Sequence, residues 1–171
     1  ALRVRDFFCT QAIRLFDFPK ANALSMLLRI YPENPDYKKM QRALNVLRDG
    51  GIIIYPTDTV YGMGCDLNNA KAVQKIYRLK GLNPKKDFLS FINHDISDLS
   101  QYAKIDNQSF KLMKRNLPGP FTFILPATNQ VPNHFRNKRR TVGIRIPDNA
   151  IARLLVRELG RPIISTSLHL E

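Results

Sequence analysis

The stretch GGIIIYPTDTVYGMG, residues 50–64, constrains this chain most. Ile52, Ile53 and Ile54 are consecutive, Tyr55 extends the run, and Pro56 ends it. A short unbroken β-branched run suits a strand buried on both faces, since a strand with one wet face alternates apolar and polar residues. The segment before it, 36–48, places Met40, Ala43, Leu44 and Leu47 on one helical face, with Asp36 as its cap and Gly50-Gly51 as its stop.

The alternation continues to the end of the sequence. Helical spacing recurs at 68–80, capped by Asn68 or Asn69, at 106–116, capped by Asp106 and ended by Pro118-Gly119, and at 149–159, closed by Gly160. Strand-like runs fall at 88–92, 121–125, 141–146 and 162–168. Helices alternating with strands predict an α/β fold built on a mixed sheet. Residues 1–35 contain Pro19, Pro32 and Pro35, and are expected to form an extension outside the core, with Met26 as a candidate native start. Residues 36–171 are expected to be the domain. The chain ends four residues after Ser167, so the domain is expected to be truncated at its C-terminus.

Lys and Arg total 27 against 14 Asp and Glu, a net charge of +13, which attracts polyanions. Arg136, Lys138, Arg139 and Arg140 in FRNKRRTVGIR form a candidate RNA-binding patch; a solvated loop is the alternative. Only Cys9 and Cys65 are present, without a CxxC, and His94, His134 and His169 are far apart. Neither a disulfide scaffold nor a zinc site of standard spacing is therefore expected, and a reducing cytoplasm fits. No apolar run reaches bilayer length. GMG lacks the third glycine of a dinucleotide fingerprint, no Walker A loop exists, and no nucleophile signature appears.

In open α/β sheets, ligands bind outside the carboxyl ends of the strands. Thr57, Asp58, Thr59 and Tyr61 follow the first such strand. Thr122, Arg145, Ser165, Thr166 and Ser167 lie in later ones, and Lys80 follows a helix. These hydroxyls and cations offer donors to phosphate or carboxylate oxygens. Each has a plainer reading. Pro-Thr-Asp-Thr is also turn chemistry, Ser165–Ser167 also suits an edge strand with one wet face, and Lys80 also suits a helix-end cation. Arg145 lies between Ile144 and Ile146 and needs a partner or open water.

Three segments, in order, resemble the YrdC-like family. GGIIIYPTDTVYGMGCD resembles its strand followed by PTDTVYGLG. LPGPFTFIL is similar to its PGPxT strand, and TVGIRIPDNAIARLLVRELGRPIISTS to its GxRxP, helix and STS segment. The resemblance covers about residues 36–171. It implies a twisted open sheet with helices on its outer face and a concave basic surface. Many members make threonylcarbamoyl-AMP from L-threonine, bicarbonate and ATP for a tRNA modification; some are described as binding double-stranded RNA or tRNA. By this resemblance Thr57, with Thr59 and Tyr61 beside it, lies in the threonine site. Lys80 and Arg145 are the catalytic cations of the pocket. Thr122, Ser165 and Ser167 lie by the nucleotide. Mg²⁺ is expected to arrive with ATP, and no protein-held metal is expected.

The sequence also departs from the family pattern. Leu82 stands where the KxR element has arginine, His169 stands where the terminal SxN has asparagine, and KKDFLSFI lacks the usual KPL turn. Leucine cannot supply the bidentate bonds of a guanidinium. With its STSL ending, the chain looks closer to the YciO branch. The resemblance thus implies a threonylcarbamoyl-AMP synthase-like nucleotidyltransferase, with a non-catalytic double-stranded RNA or tRNA binder of the YciO type as the alternative.

Overall fold

A computed structural model describes residues 12–16, 25–84, 86–135 and 139–168. Its strands are β1 (Ala12–Phe16), β2 (Ser25–Arg29), β3 (Ile52–Tyr55), β4 (Gly62–Asp66), β5 (Ser90–Ile92), β6 (Phe123–Pro126), β7 (Thr141–Arg145) and β8 (Ile163–Ser167). Its helices are α1 (Tyr37–Arg48), α2 (Ala70–Leu79), α3 (Asn107–Asn116) and α4 (Ala150–Leu159). The strands form one open eight-stranded sheet in the order β2-β1-β3-β4-β8-β5-β7-β6. β5 and β7 pair in parallel and the other pairs are antiparallel.

Each helix starts where a short polar side chain satisfies an orphan N–H. Asp36, Asn69, Asp106 and Asn149 accept from the backbone N–H three residues on. Gly160, at φ +74°, ends α4 in the left-handed conformation that glycine adopts without strain.

The isoleucine run is buried on both faces, as its lack of alternation predicts. Ile52 and Ile54 join one core with α2, Met113 of α3, Phe91 and Ile144. Ile53 and Tyr55 join the other, beneath α1 and α4. The helices therefore cover both faces of the sheet rather than an outer face alone.

Two parts of the sheet differ from the sequence expectation. β1 and β2 come from the proline-bearing stretch expected to lie outside the core. β1 pairs with both β2 and β3, and Ile13 and Leu15 are buried under α1 and α4. Met26 lies inside β2, opposite Leu15, so a start there would remove β1 from the sheet. Ile13 and Leu15 face one core and Phe16 packs against the other, so AIRLF is apolar on both faces apart from Arg14, and that outweighs the nearby prolines. The second difference is β4, the GMGCD run. A Cβ on Gly64 would sit 2.6 Å from Ile163 Cγ2 and 2.9 Å from the Ile164 carbonyl oxygen. Glycine marks a strand here because neighbouring groups crowd it, not because the chain turns.

Where β4 ends and β8 begins, Arg161 forms a forked ion pair with Asp66. Nε donates to Oδ1 at 2.7 Å and Nη2 donates to Oδ2. The bonds hold the guanidinium more firmly protonated than usual.

Tyr55 and Cys65 are buried with their protons on. Burial pushes both well above their ordinary values of 10.0 and 9.0. In the unfolded chain both ionise near those ordinary values. Above about pH 9 the unfolded state therefore sheds protons that the folded state keeps, and stability falls as pH rises, by up to about 1.4 kcal/mol per pH unit per group. Denaturant midpoints followed upward from neutral pH should decline from about pH 9, and Cys65→Ala should postpone that decline toward the tyrosine range near pH 10.

Candidate functional site

The face covered by α1 and α4 near β3 opens farther along β7 and β6, where Ile124 is 75% exposed opposite Gly143. There the sheet is hollowed by small residues. A Cβ on Gly62 would meet the Tyr55 ring at 2.9 Å, and one on Gly143 would meet Thr122 Cγ2 at 3.2 Å. The hollow opens into a cleft of about 100 Å³, whose lining includes Thr57, Tyr61, Thr122, Arg145, Ser165 and Ser167. Six of the expected site residues thus meet in one place, with Val60 and Ile92 as apolar wall and Ser90 between strands.

Thr57 serves both as turn residue and as cleft wall. Its hydroxyl donates to the Val60 carbonyl at 2.6 Å and accepts from the Thr59 N–H at 3.1 Å. That turn presents Asp58 and Thr59 to Arg145, which reaches them from the end of β7. Arg145 Nη2 donates to Asp58 Oδ1 at 2.5 Å and to Thr59 Oγ1 at 2.9 Å. The two charged side chains are 16% and 12% exposed, so this pair is far less screened than a surface one. It answers what the guanidinium between two isoleucines needs. Tyr61 is half-buried, and burial pushes its pKa above the ordinary phenol value while a hydrogen bond to the Ala12 backbone opposes the rise.

Ser165 does not fit the nucleotide role expected of it. Its hydroxyl accepts from the buried Tyr55 hydroxyl at 2.7 Å and donates to the Met63 carbonyl at 3.3 Å. With its proton directed inward and 5% of its surface exposed, Ser165 is floor rather than donor. Thr122 and Ser167 are exposed at the rim and keep that capacity.

Lys80 is not among the residues lining the cleft. It caps the C-terminus of α2, its N–H bonded to the Ile76 carbonyl, as the helix-end reading has it. Leu82, at the departure from KxR, packs against the core beneath α2.

Arg136 and Lys138 lie outside the described residues, as does His169. Arg139 and Arg140 are exposed just before β7. Arg145 stands at the other end of that strand, about 17 Å away at roughly 3.3 Å per residue. Arg139 and Arg140 are therefore set apart from the cleft. Cations gather instead on the helices: four on α1, three each on α2 and α3, two on α4, against a single acid, Glu158.

Asp58 and Tyr55 anchor cleft residues, Arg145 and Ser165, and the sequence reading gave neither that part. The signal for Tyr55 was a hydroxyl ending an otherwise apolar run, since a buried tyrosine needs a polar partner. Asp58 gave none, because its partner lies 87 residues away.

Among the described residues no group of three or more His, Cys, Asp or Glu is placed to hold a metal, and no helix is long and apolar enough to cross a membrane.

Comparison with known proteins places this geometry. A family model named for Sua5, YciO and YrdC, described as telomere recombination, matches residues 45–171. The uncharacterised protein YciO of Escherichia coli K12 is 41% identical over 148 residues, which are 86% of this chain and 71% of YciO. The threonylcarbamoyl-AMP synthase of Chromobacterium violaceum is 34% identical over 137 residues, 80% of this chain and 70% of the synthase. The crystal structure of E. coli YciO superposes with a TM-score of 0.77 at 42% identity, covering 82% of this chain and 68% of that one. Sua5 of P. abyssi complexed with L-threonine superposes with a TM-score of 0.73 at 32% identity, over 78% of this chain and 39% of that one. On sequence and on fold alike, the chain belongs to the Sua5/YciO/YrdC family.

Proposed function

We propose that the cleft binds L-threonine and that the chain handles or makes threonylcarbamoyl-AMP from threonine, bicarbonate and ATP. The observation that carries this reading is the cleft itself. Its hydroxyls and its guanidinium offer donors to the carboxylate and hydroxyl oxygens of an amino acid. The kinship with a threonylcarbamoyl-AMP synthase and with a threonine-bound Sua5 supports the same ligand.

In this reading the threonine amine and bicarbonate give a carbamate and water. A carbamate oxygen then attacks the α-phosphorus of ATP and pyrophosphate leaves. The protein's part is to hold the reactants in line and to steady charge on oxygen. Arg145 supplies the fixed positive charge. ATP, with its Mg²⁺, lies over the rim, within reach of the Thr122 and Ser167 hydroxyls. Pyrophosphate released from ATP and bicarbonate, with and without threonine, tests the reading; release that does not depend on threonine would refute it.

The alternative reading is an RNA binder without efficient chemistry, and the near-absence of acids on the helices favours it. Lys71, Lys75 and Arg78 occupy i, i+4 and i+7 of α2 and share one face. If the helices track phosphates, changing all three to Gln should flatten the salt dependence of double-stranded RNA binding by two to three phosphates' worth, roughly 2–3 in the log–log slope. Arg139→Ala with Arg140→Ala should change it less. An unchanged slope in the α2 variant would count against the helices as the RNA face.

A further inference from the structure

Away from the cleft, α3 keeps an apolar side that its own domain leaves half open. Met113 is the residue it buries, while Phe110, Lys114 and Leu117 stand at i, i+4 and i+7 on one side, and Phe110 is 44% exposed. That side lines a hollow of about 340 Å³ together with Pro118, Ile146 and Arg153. A second hollow, of about 310 Å³, is lined by Pro35, just before α1, and by Ala150, Leu154 and Arg157 of α4. His94 and Arg153 line both, and Arg153 Nε donates to the His94 carbonyl at 3.1 Å, so the two hollows meet at one shared wall. Neither has a residue in common with the cleft.

The charges around this double hollow are one-sided. Lys114, Arg153 and Arg157 line it against one carboxylate, Asp95. Asp95 is already engaged, accepting from the Ser97 N–H and the Ser97 hydroxyl, both at 2.8 Å. Lys114 forms no ion pair among the described residues. Apolar surface rimmed by charge marks an interaction site. We propose that the double hollow docks an acidic and apolar segment of another protein: Leu- or Phe-type side chains enter the two hollows, and neighbouring Asp or Glu carboxylates meet Lys114, Arg153 and Arg157. Two adjacent hollows divided by a cationic wall suit successive side chains of one segment, with a carboxylate where the segment crosses Arg153. Nucleic acid fits less well, because aliphatic Leu117, Pro118, Ile146 and Leu154 offer nothing to a phosphodiester and do not stack on bases. A second copy of this chain fits less well too, since its helices bear cations against the single acid Glu158 and like charges would meet.

The test is a random peptide library displayed on phage and selected on the full chain, with the enriched peptides then synthesised, labelled with fluorescein and titrated by anisotropy at physiological salt. Enriched sequences should pair Asp or Glu with Leu, Phe or Trp. Phe110→Ser and Lys114→Gln should each weaken the peptide about 10-fold, the effect of truncating one good interface contact. Both side chains are exposed, and a thermal melt beside the wild type checks that the fold is kept. Lys104→Gln removes the same charge from an exposed position outside both hollows and should leave the affinity within about twofold. Equal losses for Lys114→Gln and Lys104→Gln would mean that net charge alone attracts the peptide, and the proposal falls. It falls equally if no peptide is enriched, if the enriched set carries no acids, or if its members are indifferent to Phe110→Ser. A short RNA duplex that displaces the peptide and is itself weakened by Phe110→Ser would assign this face to nucleic acid and overturn the proposal.

Discussion

Replacing Arg145 with alanine should abolish threonine binding and threonine-dependent pyrophosphate release by this chain. Two losses combine. The substitution removes the guanidinium described for the cleft, and it leaves the Asp58 carboxylate, 12% exposed, without its partner. Breaking a buried pair by deleting one member costs about 3–5 kcal/mol. The cleft is open to water, so the lower end of that folding cost applies, while the lost charged hydrogen bond to a ligand lowers affinity by roughly 10- to 100-fold. The stranded carboxylate would moreover repel the carboxylate of any ligand. Arg145→Lys should recover little, since a point charge cannot bridge Asp58 and Thr59 and still present an N–H to a ligand. Calorimetry with threonine, read beside a thermal melt that shows the variant folded, decides it. Affinity within a fewfold of wild type in a folded Arg145→Ala chain would place the ligand's anion elsewhere.

Arg161→Ala should be strongly damaging although it lies outside the cleft and outside the apolar core. Asp66 is 3% exposed and accepts three bonds, two from Arg161 and one from the Asn68 N–H at 2.9 Å. Removing the guanidinium leaves a carboxylate desolvated with one backbone donor. The expected cost is about 3 kcal/mol. For a chain of this size that lowers the melting temperature by roughly 6–12 °C. Asp66→Asn added to Arg161→Ala should restore part of the loss, because a neutral amide tolerates the site better. Arg157 is the control: its side chain is 62% exposed beside Glu158, and Arg157→Ala should shift the melt by no more than a weak surface pair does. Equal shifts for the two alanine variants would show that the buried pair contributes nothing special.

The helices were legible because their signals are local. Asp36, Asn69 and Asp106 mark their starts within a few residues, and the i, i+3, i+4 spacing is carried by the sequence itself. The Ile52–Tyr55 strand was legible for the same reason. β4 was not, since its two glycines have no meaning until Tyr55, Ile163 and Ser165 are set around them. β1 was masked by neighbouring prolines. At the site, strand ends pointed to Thr57, Arg145, Thr122 and Ser167, which the structure gathers around one cleft. Ser165 looked the same as Ser167 in sequence; only the buried Tyr55 hydroxyl beneath it separates floor from rim. Lys80 was matched by motif, and a motif carries no direction in space. Asp58 reads as a turn carboxylate until a strand from 87 residues downstream delivers its partner.

The place of β8 between β4 and β5 has a consequence for assembly. Strands β1 to β4 can zip together as residues 12–66 emerge, and β5 to β7 can do so later, but only β8 stitches the two sections into one sheet. Until Ile163–Ser167 is synthesised, β4 and β5 each present an open flank of unpaired backbone groups, the kind of edge that invites intermolecular pairing. The clasp of this sheet is made after every strand it joins, and the same strand carries Ser165 and Ser167, so the cleft comes into being at the moment the sheet closes up.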